Sequence, residues 1–139
     1  MKGDQNVKEG AIVSASATRK QASGAAAEAL AERFLARRGL IVLARNVRCR
    51  GGEIDLVCLD HGIVVFVEVR LRTSSRFGGA AASITPAKQR RVVLAARWWL
   101  AGAGRRHAGR PCRFDAALLA DLDEDGVEWL KAAFDADAS

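Results

Sequence analysis

Charged residues interrupt two consecutive runs of otherwise strand-like, apolar sequence. Glu53 and Asp55 lie in GEIDLVCL (52–59), and Glu68 and Arg70 lie in IVVFVEVRLR (63–72). Asp60-His61-Gly62 joins the runs and is a strong hairpin signal, because glycine tolerates positive φ. With His61-Gly62 as a two-residue loop, Asp60 pairs with Ile63, Asp55 stands opposite Glu68, and Glu53 stands opposite Arg70. A three-residue loop would instead send Asp55 and Glu68 to opposite faces. Directly opposed side chains have Cβ atoms roughly 5 Å apart. Two carboxylates that close repel each other, and burying them is costly without compensation. A hard divalent cation shared by both groups is one compensation. A structural ion-pair cluster with Arg70, Arg72 or Arg50 is the other.

The elements that would position these residues follow from periodicity. Alternation puts Ile54, Leu56 and Cys58 with Val65, Val67 and Val69 on one apolar face. Val57, Leu59, Val64 and Phe66 share the other face with the charged groups, so both faces are largely buried. Leu30, Phe34 and Leu35, supported by Ala27 and Ala31, make a helical stripe that predicts a helix over 23–38, ended by Gly39. A further strand is predicted over 41–47. Residues 73–84 form a loop whose Gly78-Gly79 is either flexible or permits close backbone approach, the second being favoured. Thr85-Pro86 opens a second helix with threonine as cap and proline in the first turn. That helix fades at Gly102–Gly104, and a basic connector leads to a strand over 112–120. After the acidic turn DLDEDG come a short strand (127–129) and a closing helical turn (130–134). Residues 1–22 lack apolar periodicity and read as a disordered leader, so 23–139 form a single domain. The order αβββαβ indicates an α/β architecture with a mixed central sheet of four to five strands flanked by helices.

The chain has 139 residues, enough for one domain with its own core, although 27 are alanine. No apolar run is long enough to span a membrane, and no apolar segment follows the basic N-terminus, so a cytoplasmic location is expected. Cys49, Cys58 and Cys112 are widely spaced among apolar neighbours and read as reduced core thiols. No CxxC pair exists, and two histidines cannot complete a usual zinc site. Residues 1–120 carry 21 basic and 9 acidic groups, whereas the last 19 residues hold one lysine against seven acids. Arginine outnumbers lysine 17 to 5, which favours bidentate phosphate contacts. A basic body with an acidic end points to a polyanionic partner, unless the arginine and alanine merely reflect a GC-rich genome.

The succession GEIDLV, VFVEVRLR, RFGGAA, TPAKQRR and RFDAALL resembles the YraN-like family of predicted bacterial endonucleases, over about residues 24–135. That family belongs to the restriction-endonuclease-like PD-(D/E)xK superfamily and is related to archaeal Holliday-junction resolvases. The resemblance implies a restriction-endonuclease-like core and hydrolysis of phosphodiester bonds in DNA, branched or structured DNA in particular. It assigns the metal-binding aspartate to Asp55, the (D/E)xK acid to Glu68, and the first-helix acid of resolvase-like members to Glu28. Mg²⁺ or Mn²⁺ would be held by Asp55 and Glu68, with the Val69 carbonyl as an extra ligand and Glu28 completing a second site. Arg70 occupies the usual lysine position, which is a departure, since arginine stays protonated and cannot act as a base. Arg70 would then hold the water or stabilise charge at phosphorus, or Lys88 would reach in from the second helix. Glu53 is equally suited to pairing with Arg70 or to metal.

Arg72, Arg76, Lys88, Arg90 and Arg91 gather around the loop and the start of the second helix, where they would track a phosphate backbone or simply form a solvated face. Trp98 and Trp99 point in different directions on one helix, so one is expected in the core and the other at a base or a dimer interface. Asp115 reads as a structural partner of Arg113, and His61 as turn chemistry. Resolvases of this fold are two-fold dimers, so a homodimer is expected. The competing readings are a non-catalytic nucleic-acid-binding module on the same fold and a protein-interaction adaptor. Metal binding separates the enzyme from both, and salt-dependent DNA affinity separates the two binders.

Overall fold

Two tight hairpins and one helical crossover build the sheet. Strands β1 (Ile41–Cys49), β2 (Gly52–Asp60) and β3 (Ile63–Leu71) form an antiparallel meander. Helix α2 (Pro86–Ala101) then carries the chain to β4 (Cys112–Leu119), which runs parallel to β3, and β5 (Val127–Phe134) pairs antiparallel at the far edge. The spatial order is β1-β2-β3-β4-β5. Helix α1 (Ala15–Arg37) precedes the sheet. This computed structural model describes residues 15–71, 84–120 and 123–136, with side chains from residue 24 onward. Arg72, Arg76 and Gly78-Gly79 lie outside the described residues, as do residues 1–14 of the expected leader.

The turns obey the chemistry read from the sequence. His61 (φ 49) and Gly62 (φ 87) both adopt positive φ, the requirement of the two-residue hairpin whose twist matches the strands. Asp60 accepts from His61 Nδ1 at 2.8 Å, so the histidine belongs to the turn. The predicted register holds from Asp60–Ile63 to Leu56–Val67. Helix α1 ends as Leu40 N–H bonds Leu35 O at 3.1 Å and Gly39 takes φ 91, a Schellman-type stop. Helix α2 is capped by the Thr85 hydroxyl, which accepts from Lys88 N–H at 3.2 Å.

Each helix buries one face against the sheet. Ala27, Ala31, Phe34 and Leu35 of α1 pack on Leu56, Cys58, Val65, Val67, Ala117 and Leu119. Val92, Val93, Ala96 and Trp99 of α2 cover Val57, Val64, Phe66, Phe114 and Phe134 on the other side. Central strands covered on both faces are what the continuous apolar runs predict. Trp99 is the core tryptophan at 5% exposed, and Trp98 stands out at 53%.

Several expectations need correction. Helix α1 begins at Ala15, not at residue 23. ASATRKQASGAAA is rich in strong helix formers, and a helix once nucleated propagates through them without an apolar stripe. The segment 130–134 is strand, not a helical turn. Asp115 decides this by accepting Ala132 N–H and Trp129 Nε1–H, each at 2.9 Å, which holds β5 against β4 through a bulge where Ala132 takes φ 52. All three cysteines are free, but only Cys58 is core. Burial pushes its thiol up to about 12, whereas Cys112 is exposed.

Gly52 sets the distance between α2 and the sheet. A Cβ there would lie 2.7 Å from the Arg91 carbonyl oxygen and 2.9 Å from the Ala95 nitrogen, both backbone atoms of α2. Gly52→Ala is therefore expected to lower unfolding free energy by about 1–3 kcal/mol through forced separation of helix and strand. Gly109→Ala, with open space around the new methyl, should leave it nearly unchanged. Urea unfolding of the two variants checks the contrast.

Candidate active site

The predicted rung between Asp55 and Glu68 is where the β2–β3 pairing stops. The last paired residues are Leu56 and Val67. One residue further on, Val69 N–H donates to Asp55 Oδ2 at 2.8 Å, a bond to a side chain in place of a strand carbonyl. The alternation of β2 breaks at the same point. Leu56 packs under α1, but Ile54 packs under α2 with Val57. This corrects the expectation of one uniform apolar face, and it has a chemical result. Asp55 is turned toward α1, and Glu53 is carried beneath the first turn of α2.

Glu53 accordingly pairs with α2, not with Arg70. Lys88 Nζ donates to Glu53 Oε2 at 3.1 Å, and Arg91 Nη2 lies 3.7 Å from Oε1. The Lys88 hydrogen bond holds the Glu53 carboxyl below the usual range, assisted by the Lys88, Arg91 and Arg48 charges. Of the five cations predicted to track phosphate, Lys88 is thus engaged inside the site, Arg91 reaches Glu53 from an exposed position, and Arg90 is exposed.

Asp55 and Glu68 are pushed the opposite way. Burial is the main cause at Asp55 and raises its pKa, opposed by the Val69 N–H bond and by Arg70 and Lys88. Glu68 is 1% exposed. Desolvation, reinforced by the Asp55 charge, pushes its carboxyl up to about 8. Its Oε2 and the Nε of Arg70 are buried with no hydrogen-bond partner among the described residues. Polar atoms left this way in an interior cost free energy until something meets them.

Glu28 enters from α1. It lies near Asp55 and Asn46, and its pKa is raised by burial and by the Asp55 charge, opposed by Asn46 and by the Arg48 charge. Asn46 sits at φ 50 in the middle of β1, a conformation asparagine adopts more readily than most side chains. Sequence reasoning missed both Asn46 and Gly52. An asparagine interrupting a strand-like run and a glycine doublet before GEID were the signals available.

An open cleft of about 340 Å³ gathers these groups. Glu28, Glu53, Asp55, Val69, Arg70 and Lys88 line it, with Glu68 buried beside Asp55. The structure therefore brings together Asp55, Glu68, Arg70, Lys88, Glu28 and Glu53 from four elements. The oxygen-only donor set and the unpartnered Glu68 oxygen suit a hard divalent cation. Among the described residues no three His, Cys, Asp or Glu side chains form a ready-made metal cage. Asp115 belongs elsewhere. It is fully buried and takes Arg113 Nε at 2.9 Å and Nη2 at 3.0 Å, the structural role read from the sequence.

The raised Glu68 pKa gives stability a definite pH dependence. Between its ordinary value of 4.5 and about 8, folded Glu68 keeps a proton that the unfolded chain has lost. Stability therefore falls as pH rises through that window. Glu68→Gln removes the effect. The variant should gain on the parent chain from pH 5 to pH 8, by roughly 1–3 kcal/mol at the upper end. Urea titrations at several pH values measure this, and a constant difference between the two proteins would contradict it.

The comparisons with known proteins agree with the sequence resemblance at family level. A model for the uncharacterised protein family UPF0102 matches residues 27–119. A UPF0102 protein of Methylobacillus flagellatus is 56% identical over 110 residues, covering 79% of this chain and 94% of its own. One from Cupriavidus taiwanensis is 58% identical over 121 residues, covering 86% and 88%. Another, from Yersinia pseudotuberculosis, is 51% identical over 115 residues, covering 83% and 96%. No helix among the described residues is long and apolar enough to cross a membrane. With two-thirds of its length matched by the family model and relatives aligned along nearly their whole chains, this protein belongs to the UPF0102 (YraN-like) family.

Proposed function

We propose that this protein is a cytoplasmic metal-dependent endonuclease that hydrolyses phosphodiester bonds in DNA, with branched or structured DNA as substrate, working as a homodimer. The observation that carries the reading is the Asp55–Glu68 pair. A buried carboxylate with an unpartnered oxygen, Glu68, and a half-buried one, Asp55, open beside a cleft that also holds Lys88 and Arg70. Structural acids are normally saturated, as Asp115 is, whereas acids kept short of partners and shifted upward mark sites that do chemistry.

Asp55 and Glu68 would hold Mg²⁺ or Mn²⁺, with the Val69 carbonyl beside them and Glu28 serving a second position. The bound ion supplies a Lewis acid that lowers the pKa of a water and offsets phosphate charge. The chain's own residues do the rest. Asp55 is fixed in place by the Val69 N–H. Glu68 gives up its proton as the site loads, so loading is favoured by alkaline pH. Lys88, steadied by Glu53, presents an ammonium to the phosphate, and Arg70 donates hydrogen bonds to its oxygens without acting as a base. Water adds at phosphorus, the P–O bond to the leaving strand breaks, and that strand's oxygen takes up a proton.

One observation favours a second reading. Arginine at position 70 lacks the proton-transfer chemistry open to lysine, which fits a non-catalytic DNA-binding module on the same scaffold.

Cleavage of labelled four-way junction, flap, splayed and plain duplex DNA in Mg²⁺ or Mn²⁺, with EDTA as control, separates the two. Structure-selective cutting is expected. Asp55→Asn or Glu68→Gln should abolish it while DNA binding stays intact or tightens, and Arg70→Lys should raise the rate. Absence of cutting by the parent chain, with salt-sensitive binding retained, would establish the binding module. Calorimetry provides an independent check. Mn²⁺ affinity should increase from pH 6 to pH 8 with proton release, and Glu68→Gln should remove both.

A further inference from the structure

Helix α2 has a second face that the cleft does not use. From Pro86 to Arg110 the chain holds seven lysines and arginines and no acid. Lys88 and Arg91 turn to Glu53. Arg90, Leu94, Arg97 and Trp98 lie at helical spacing along the outside, and all four are exposed. Leu94 is 46% and Trp98 53% accessible, which makes an apolar ridge flanked by two guanidinium groups. A groove of about 290 Å³ runs beside it, lined by Arg90, Val93, Leu94, Arg97 and Ala136. Neither Arg90 nor Arg97 forms an ion pair among the described residues. Trp99 shows the contrast, being buried and stacked on His107 with ring centroids 6.0 Å apart.

We propose that this face is a second nucleic-acid surface, on which the Trp98 indole stacks against an unpaired base while Arg90 and Arg97 hold the flanking phosphates. The inference rests on the nuclease reading and refines its substrate. Charge decides the occupant. A second copy docking through a two-fold axis would set the same patch against itself, and so arginine against arginine. A nucleic acid answers both features, phosphate for the guanidinium groups and base for the indole. Position supports the same conclusion. Trp98 lies about 15 Å of helix rise from Lys88 in the cleft, a span of roughly four nucleotides at the spacing of one strand. A strand cut in the cleft would thus have unpaired bases a few nucleotides from the cut, as in a flap, splayed arm or open junction.

The test uses the full chain in EDTA, where cleavage is blocked, with fluorescence anisotropy on splayed-arm DNA and on a fully paired duplex. Trp98→Ala should weaken splayed-arm binding by roughly tenfold or more and leave duplex binding within about twofold. Trp98→Phe should restore most of the loss, and Arg90→Ala/Arg97→Ala should weaken both DNAs. Because Trp98 is exposed, all variants should keep the parent's melting temperature. If Trp98→Ala binds both DNAs like the parent, or loses both equally, the stacking surface is refuted while the nuclease reading stands. Should the parent bind neither DNA, both readings fall. A concentration-dependent dimer in sedimentation that Trp98→Ala dissociates would assign the face to a second copy and overturn the proposal.

Discussion

Two carboxylates set side by side, Glu68 buried and Asp55 half-buried, are the constraint that organises this molecule. Strands cannot pair normally through such a rung, because the charges repel and Glu68 cannot be solvated. The chain resolves the conflict by ending the β2–β3 ladder one rung early and giving the Val69 N–H to Asp55. The break in alternation that follows sends neighbouring residues of β2 to different helices. Glu53 meets α2, Asp55 meets α1, and the cleft forms between them. The residual strain is electrostatic, and Glu68 absorbs it by holding its proton.

A comparison within the same sheet shows how specific that arrangement is. Asp115 is as deeply buried as Glu68, yet four N–H groups from Arg113, Trp129 and Ala132 satisfy it. Arg113 also bridges to Asp60 at 3.0 Å, tying β4 to the β2–β3 hairpin. A carboxylate with that many donors fixes structure, because removing any partner leaves a buried group unmet. Glu68 has an oxygen with none. The two acids differ in their neighbours, not in their depth.

The helices contribute through charge as well as packing. Gly52 lets α2 approach β2 closely enough for Lys88 and Arg91 to reach Glu53. On the opposite side, Glu32 pairs with Arg45 of β1, and Glu124 pairs with Arg33 and Arg37. These pairs fasten α1 at both ends of the sheet, so the Glu28 carboxylate is presented at a fixed depth. Exposed pairs of this kind add little stability individually. Their effect here is orientation.

Much of the fold was legible in the residues themselves. Hairpin register followed from His61-Gly62, helix limits from Gly39 and Thr85-Pro86, and double-sided burial from the largely apolar runs, because each depends on local backbone preference or on burial pattern. The acids at 53, 55 and 68 were legible as misfits in those runs, whether as metal ligands or as ion-pair partners. Tertiary structure alone decided which acid met which cation. It gave Glu53 to Lys88 and Arg91, left Glu68 short of a partner, and brought Asn46 near Glu28, since those approaches join residues far apart in the chain. It also turned 130–134 into a strand against its helical propensity, through donors that reach Asp115 only when β4 and β5 lie together. It split the two tryptophans, for periodicity says that Trp98 and Trp99 diverge but not which of them the sheet will cover.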